Sequence, residues 1–154
     1  MLAQRRQEDA EDGPDRDSGA PDDGEEAEAN DLFRGYWDPF SRKTSPLILA
    51  KVPVKNPWEV FAYLPFGGWN DCPDTPQLMA AAKHWFEEYG AVPAVLTHDT
   101  LEFELAAPAP AEKAMELAAQ HCAFCPDVDQ GDGWTVGTLA DELRRSTVWY
   151  FWWD

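Results

Sequence analysis

Val92-Pro93-Ala94-Val95-Leu96-Thr97-His98-Asp99-Thr100-Leu101-Glu102-Phe103-Glu104-Leu105 is an apolar run, a polar pair and then a strict alternation. Residues 92–97 are rich in Val and Leu, as a strand requires. Leu101, Phe103 and Leu105 alternate with Glu102 and Glu104, the period of a strand with one buried and one wet face. With His98-Asp99 between them, the two runs predict a β-hairpin.

Outward from the hairpin, the flanking segments read as follows. Upstream, Asp74 or Thr75 caps a helix, Pro76 suits its first turn and Gly90 supplies a left-handed exit. Its apolar stripe is Leu78, Met79, Ala82, Trp85, Phe86 and Tyr89. Before it, residues 60–64 predict a short buried strand closed by Pro65 and Gly67-Gly68, and residues 47–54 an edge strand ended by Pro53 and Pro57. Downstream, Pro108 and Pro110 lead into a helix over residues 111–124 with Met115, Ala118, Ala119 and Cys122 inward, and Pro126 ends it. A short helix is expected over residues 138–145. Residues 147–153 are apolar on both faces, which places them in the middle of a sheet or under a cover.

The order β-α-β-β-α-β predicts an α+β domain of ferredoxin-like, split β-α-β topology, with an extra N-terminal strand and a short helix before the last strand. The expected core is Val60, Ala62, Leu64, Met79, Ala82, Phe86, Val95, Leu101, Phe103, Leu105, Met115, Ala118, Val148, Tyr150 and Trp152. In this topology three loops share one edge: residues 65–74, the turn His98-Asp99, and residues 125–137.

Composition divides the chain. Its 154 residues carry a formal net charge of −17, with 29 Asp and Glu against 12 Lys and Arg. Residues 1–31 hold 12 acidic and 3 basic residues and no aromatic, so they read as a disordered acidic tail. Residues 32–46 form an aromatic linker or arm (Leu32, Phe33, Tyr36, Trp37, Phe40) that wraps back onto its own domain; the alternative is docking on another protein. Residues 47–154 form the single α+β domain, and deleting residues 2–31 is expected to leave its melting temperature nearly unchanged. Nucleic-acid binding is not expected, since the densest basic cluster is Arg42-Lys43. No apolar run reaches a membrane span and no apolar stretch follows Arg5-Arg6, so neither insertion nor secretion is expected. Three cysteines without an export signal read as reduced thiols in a cytoplasm.

Most catalytic signatures are absent: no phosphate loop, no G-x-G-x-x-G, no G-x-S-x-G, no H-E-x-x-H. No cofactor is expected. Asp127, Asp129 and Asp132 with Gly131 and Gly133 fail the EF-hand register and read as a solvated turn. Cys122-Ala123-Phe124-Cys125 has C-x-x-C spacing, but at a helix C-terminus, where the dipole opposes a thiolate. A zinc site would usually want a second pair, and only Cys72 remains to join Cys122 and Cys125, with His98 or His121 as possible fourth ligand. Cys72, His98 and Cys125 are the candidate set, and buried structural thiols are favoured over it. His84 with Glu87 and Glu88 reads as an ordinary helix-surface pair. Pro65-Phe66-Gly67-Gly68-Trp69-Asn70-Asp71-Cys72-Pro73 is the richest segment. Its glycines permit positive φ, and it sets an aromatic platform beside polar groups at a helix N-terminus.

That loop, with Gly90-Ala91, Thr97-His98-Asp99-Thr100, Phe124-Cys125-Pro126-Asp127 and the ending Trp149-Tyr150-Phe151-Trp152-Trp153-Asp154, resembles the bacterial family called domain of unknown function 4253. The resemblance covers about residues 50–154, and the terminal aromatic run is its most specific part. It implies one small domain at the C-terminal part of the chain and no particular activity. It also implies an aromatic residue at the position of Cys122, which makes the C-x-x-C incidental.

Two functional classes follow. One is a non-catalytic binding or interaction module, regulatory or immunity-type, holding a basic protein partner through exposed aromatics and negative charge. The other is an enzyme or small-ligand-binding domain working at the loop edge. There the binding residues would be Trp69, Asn70, Asp71, Cys72, His98, Asp99 and Asp127. His98 would act as acid or base, its imidazole favoured in the charged form by carboxylates, and Asp71 or Asp127 would orient it. The binding module is favoured because no nucleophile–base pair is legible.

Overall fold

A computed structural model describes residues 27–38, 40–128 and 134–154. The acidic residues 1–26 and the Gly- and Asp-rich residues 129–133, including Asp129, Asp132, Gly131 and Gly133, lie outside the described residues. The hairpin forms as its sequence requires. Strands β3 (Val92–Leu96) and β4 (Thr100–Glu104) pair antiparallel, with Leu96 opposite Leu101 and Val92 opposite Glu104. Thr97 Oγ1 accepts the Thr100 amide at 2.9 Å and closes the turn. A register shift falls between Pro93 and Val95, with Ala94 as the extra residue, and β3 is an edge strand, where a proline is tolerated. β5 (Val148–Trp152) adds antiparallel to β4, so the sheet order is β3-β4-β5.

Among the described residues three α-helices accompany the sheet. α1 (Thr75–Tyr89) starts at Asp74, whose carboxylate accepts the Gln77 amide at 3.0 Å while Gln77 Oε1 takes the Asp74 amide at 2.9 Å. It ends at Gly90, with φ of 72°. Trp85 on α1 is the centre of the core. Its ring stacks on Phe151 at 5.5 Å and meets Phe103, Phe124 and Trp149 edge-on, and its Nε1 donates to Gln120 Oε1 at 2.8 Å. A buried indole of this size with its one donor satisfied anchors a core. α2 (Ala114–Phe124) packs against α3 (Val136–Leu143), which starts two residues earlier than the sequence predicts because Thr135 and Thr138 cap each other.

The protein is therefore α+β, but the parallel first strand of the ferredoxin-like pattern does not form. Residues 57–62 are a 3-10 helix, Pro57–Ala62, with only Phe61 buried. The start signal wins over the apolar run. Pro57 occupies the first position, and Glu59 reaches back to Asn56 Nδ2 at 2.8 Å and to the Lys55 amide at 3.0 Å. The element packs on α1, with Trp58 and Phe86 rings 5.2 Å apart, and on β3. Residues 47–54 form no strand either, and Leu47, Ile48 and Leu49 are exposed. A two-residue hairpin, β1 (Trp37–Asp38) with β2 (Lys43–Thr44), forms instead within residues 32–46.

Two phases differ from expectation. In β5 the inward residues are Trp149, Phe151 and Trp153, whereas Tyr150 and Trp152 face outward, 36 % and 39 % exposed. A run apolar on both faces carries no period, so its parity is free until a partner surface selects it. In α2 the buried residues are Ala114, Leu117, Ala118, His121 and Phe124; Met115 is exposed and Cys122 only half-buried. A short 3-10 turn, Ala111–Lys113, precedes α2 and rotates its stripe by one residue. Of the expected core, Ala82, Leu101, Phe103, Leu105, Ala118 and Val148 are buried, Val60, Leu64, Met79, Phe86 and Val95 partly so, and Ala62 is exposed.

The face of β4 expected to be wet is covered. Glu102 is fully buried, its carboxylate accepting the Arg34 amide at 2.7 Å and the Gly35 amide at 3.0 Å. The strap that supplies these amides is fixed from residue 27. Ala27 N donates to Asp141 at 3.0 Å, Asn30 N to Ser146 Oγ at 2.8 Å, and the Thr147 amide and hydroxyl both donate to Asp31. Residues 27–31, which composition assigns to the tail, are part of the folded unit.

Candidate functional site

The loop before α1 is built by its glycines. Gly67 and Gly68 both have φ of 78° and Asn70 has φ of 45°. A Cβ on Gly67 would stand 2.0 Å from the Pro73 carbonyl oxygen, so only glycine fits there. The Gly68 amide donates to the Cys72 and Pro73 carbonyls at 3.2 and 3.0 Å, closing the loop on itself.

Three distant stretches meet at the end of β5. Asn70 Nδ2 donates to the Asp154 carbonyl. The Asp99 carboxylate accepts Trp152 Nε1 at 3.1 Å, and the Asp99 carbonyl accepts the Trp153 amide at 3.1 Å. Cys125 Sγ donates to the Trp152 carbonyl at 3.0 Å, and the Asp154 amide reaches Asp127 Oδ2 at 3.4 Å. Phe66 packs edge-on between Trp69 and Trp153. Asn70, Asp99, Cys125 and Asp127 thus converge, and most of their polar capacity goes into fastening the last strand.

Asp71 and His98 stand apart from this fastening. Asp71 is exposed and, among the described residues, makes no hydrogen bond or ion pair. His98 is exposed with its Nε2 3.2 Å from Asp99 Oδ2. Burial works against the Asp99 carboxylate, but hydrogen bonds from Thr97, Trp152 and Thr100 and the adjacent His98 outweigh it and hold its pKa below the usual range. His98 and Trp69 line a small cleft of about 270 Å³ with Phe66 and Thr97.

The thiols are poor ligands as they stand. Burial pushes Cys72 up to about 12, helped by the nearby Cys125, and burial pushes Cys125 up to about 11. Among the described residues no group of three or more His, Cys, Asp and Glu is placed to hold a metal ion. His121, the further ligand considered from sequence, is enclosed by Trp85, Trp149 and Phe151, and burial pushes its pKa down to about 3.

A larger cleft of about 550 Å³ lies along the outer side of β5. Among the described residues, Trp134, Tyr150 and Trp152 give it aromatic walls, and the carboxylates of Asp127, Glu142 and Asp154 line it with the guanidinium of Arg34. His121 also lines it, in its neutral form. Of these, sequence reasoning singled out only Asp127 and His121 as site candidates. The signal for Tyr150 and Trp152 was the two-faced apolar run of residues 147–153: a second aromatic face on a strand needs a cover or a partner.

Among the described residues no helix is long and apolar enough to cross a membrane. No curated protein and no solved structure matches the chain. Residues 48–154 match the family described as Domain of unknown function (DUF4253), a span that takes in α1, α2, α3, the whole three-stranded sheet and the fastening around Trp152 and Asp154, and the chain belongs to that family.

Proposed function

We propose that the protein is a non-catalytic interaction module, of a regulatory or immunity type, that holds a basic protein partner in the cleft along β5. The carrying observation is the cleft itself, where, among the described residues, the partly exposed Trp134, Tyr150 and Trp152 stand beside the carboxylates of Asp127, Glu142 and Asp154 and the guanidinium of Arg34. Such a surface suits lysine or arginine side chains, through aromatic faces and through charge. The net charge of −17 adds long-range attraction for the same partner. Concavity alone also suits an enzyme, but the one imidazole lining the cleft is held neutral by burial and hydrogen-bonding capacity at the β5 end is taken up by the fold. Cys72, Cys122 and Cys125 form no disulfide among the described residues, and Cys72 and Cys125 are buried, which fits a reducing cytoplasm.

A second reading, small-ligand binding or catalysis at the loop edge, is favoured by one observation. His98, beside Asp99, shares the 270 Å³ cleft with Trp69. Substitution separates the two. The partner captured by the full chain from a native-host extract is identified, purified and titrated against variants. Trp134→Ala and Asp127→Asn should weaken binding at least tenfold per folded molecule, with folding of each variant checked by its circular dichroism spectrum, and His98→Ala should leave it unchanged. Loss of binding in His98→Ala with Trp134→Ala silent would move the site to the loop edge.

A further inference from the structure

The ladder between β4 and β5 fixes which backbone groups of β5 face outward. Leu105 N donates to Thr147 O at 2.8 Å and Trp153 N donates to Asp99 O at 3.1 Å. Antiparallel pairs alternate between bonded and non-bonded, so Thr147, Trp149, Phe151 and Trp153 face β4. Val148, Tyr150 and Trp152 therefore present their N–H and C=O groups to the outer edge.

Two of these three positions are already engaged. Val148 N donates to Asn30 O at 2.9 Å, and Asn30 Nδ2 donates to Val148 O at 3.0 Å. The Trp152 carbonyl takes Cys125 Sγ at 3.0 Å. Tyr150 lies between them, lines the cleft, and its backbone N–H and C=O have no partner among the described residues. The strap meets this edge at Val148 through one backbone and one side-chain hydrogen bond of Asn30, and stops one rung short of Tyr150.

We propose that a short, extended segment of another protein, carrying lysine or arginine, adds to the outer edge of β5 and pairs with the Tyr150 N–H and C=O. This rests on the reading of the cleft as a partner site and supplies its binding mode. An extended chain rises about 3.4 Å per residue, so the gap from Val148 to Trp152 accommodates about four residues. Backbone pairing supplies affinity, and Trp134, Tyr150, Trp152 and the carboxylates select cationic side chains. Charge argues against the chain's own residues 1–26 as occupant, since they carry 10 acidic residues against 3 basic ones and the cleft is itself acidic. The same argument disfavours a second copy.

Isotope-labelled full-length protein decides the matter with three probes: the pentapeptide acetyl-Lys-Val-Lys-Val-Lys-amide, its Glu-for-Lys counterpart, and the lysine peptide N-methylated throughout. The lysine peptide should bind at least tenfold more tightly than the glutamate peptide in low salt. Its binding should slow hydrogen exchange of the Tyr150 amide at least tenfold, and N-methylation should abolish both effects. Equal binding of the methylated peptide, or binding that leaves Tyr150 exchange unchanged, would overturn edge pairing while leaving the interaction module intact. Binding of neither unmethylated peptide would also overturn it, as would Tyr150 protection that rises with protein concentration alone, the mark of a second copy. The interaction module fails separately, if the captured partner ignores Trp134→Ala and Asp127→Asn.

Discussion

The Gly35 amide donates to Glu102 Oε2 at 3.0 Å, joining the strap to the middle strand of the sheet. A Cβ at Gly35 would sit 3.0 Å from that oxygen and 3.3 Å from Thr100 and Val95 side-chain carbons, so glycine permits the approach. The second carboxylate oxygen takes the Arg34 amide at 2.7 Å. A buried acid is tolerable here because backbone donors replace the water it gave up.

Glu102→Gln keeps the shape but turns one acceptor into a donor facing an amide, and should cost about 1–3 kcal/mol. Gly35→Ala should destabilise the same contact by steric displacement. Urea unfolding measures both. A Gln variant within about 0.5 kcal/mol of the parent would show that the strap does not depend on the carboxylate.

Truncation separates tail from strap. Deleting residues 2–26 should leave the melting temperature almost unchanged. Deleting residues 2–31 removes the hydrogen bonds of Asn30 to Ser146 and Val148 and those of Asp31 to Thr147, worth about 1 kcal/mol each, so it should lower the melting temperature by several degrees. Composition alone expected the longer deletion to be harmless. Equal melting temperatures for the two truncations would restore that expectation.

The two loop glycines should respond differently to alanine. Gly68 has open space where a Cβ would go, so Gly68→Ala meets only the cost of positive φ, about 1 kcal/mol. Gly67→Ala adds a collision with the Pro73 carbonyl and should cost clearly more. Chemical denaturation of the pair tests the order, and Gly67→Ala as mild as Gly68→Ala would contradict the loop geometry.

His121 should make the fold acid-sensitive. Burial moves its pKa from 6.5 down to about 3, so the folded state refuses a proton that the unfolded chain accepts. Its contribution is present above pH 6.5 and is lost as pH falls toward 3, by about 1.4 kcal/mol per pH unit. His121→Phe lacks the titration. The stability gap between the two proteins should shift in favour of the variant as pH drops from 7 to 4, and a pH-independent gap would contradict the burial.

The buried thiols carry the opposite sign. Their pKa values rise from 9.0 to about 12 for Cys72 and about 11 for Cys125, so the unfolded chain ionises first. Their contribution is whole below pH 9 and is lost as pH climbs toward 11–12. At pH 8 Cys72 and Cys125 should react with a thiol reagent only on unfolding. Fast labelling of either in the folded protein, read by mass spectrometry, would show that they are accessible.

At the site, a meeting of Asn70, Asp99, Cys125 and Asp127 was legible, though it was argued from a parallel first strand that does not form, and the end of β5 brings them together instead. What these residues do there was not. Asn, Asp and Cys offer the same atoms to a ligand as to a carbonyl, and only coordinates show Trp152 and Asp154 receiving them. Trp134, Glu142 and Arg34 come from separate segments that no local pattern connects.

The sequence by itself determined the elements whose signals are short-range: α1 through the Asp74–Gln77 cap and Gly90, the β3–β4 hairpin through its alternation, and a strand at residues 148–152 through β-branched and aromatic content. Tertiary structure alone decided which way β5 faces, the rotation of α2, and the burial of Glu102. The reason is physical. Caps and turns are settled within four residues by hydrogen bonds the segment makes to itself, whereas an apolar residue on a two-faced strand gains the same burial on either side. Trp85 on one side and the strap at Arg34 and Gly35 on the other break that tie, and both are brought to the sheet only by folding.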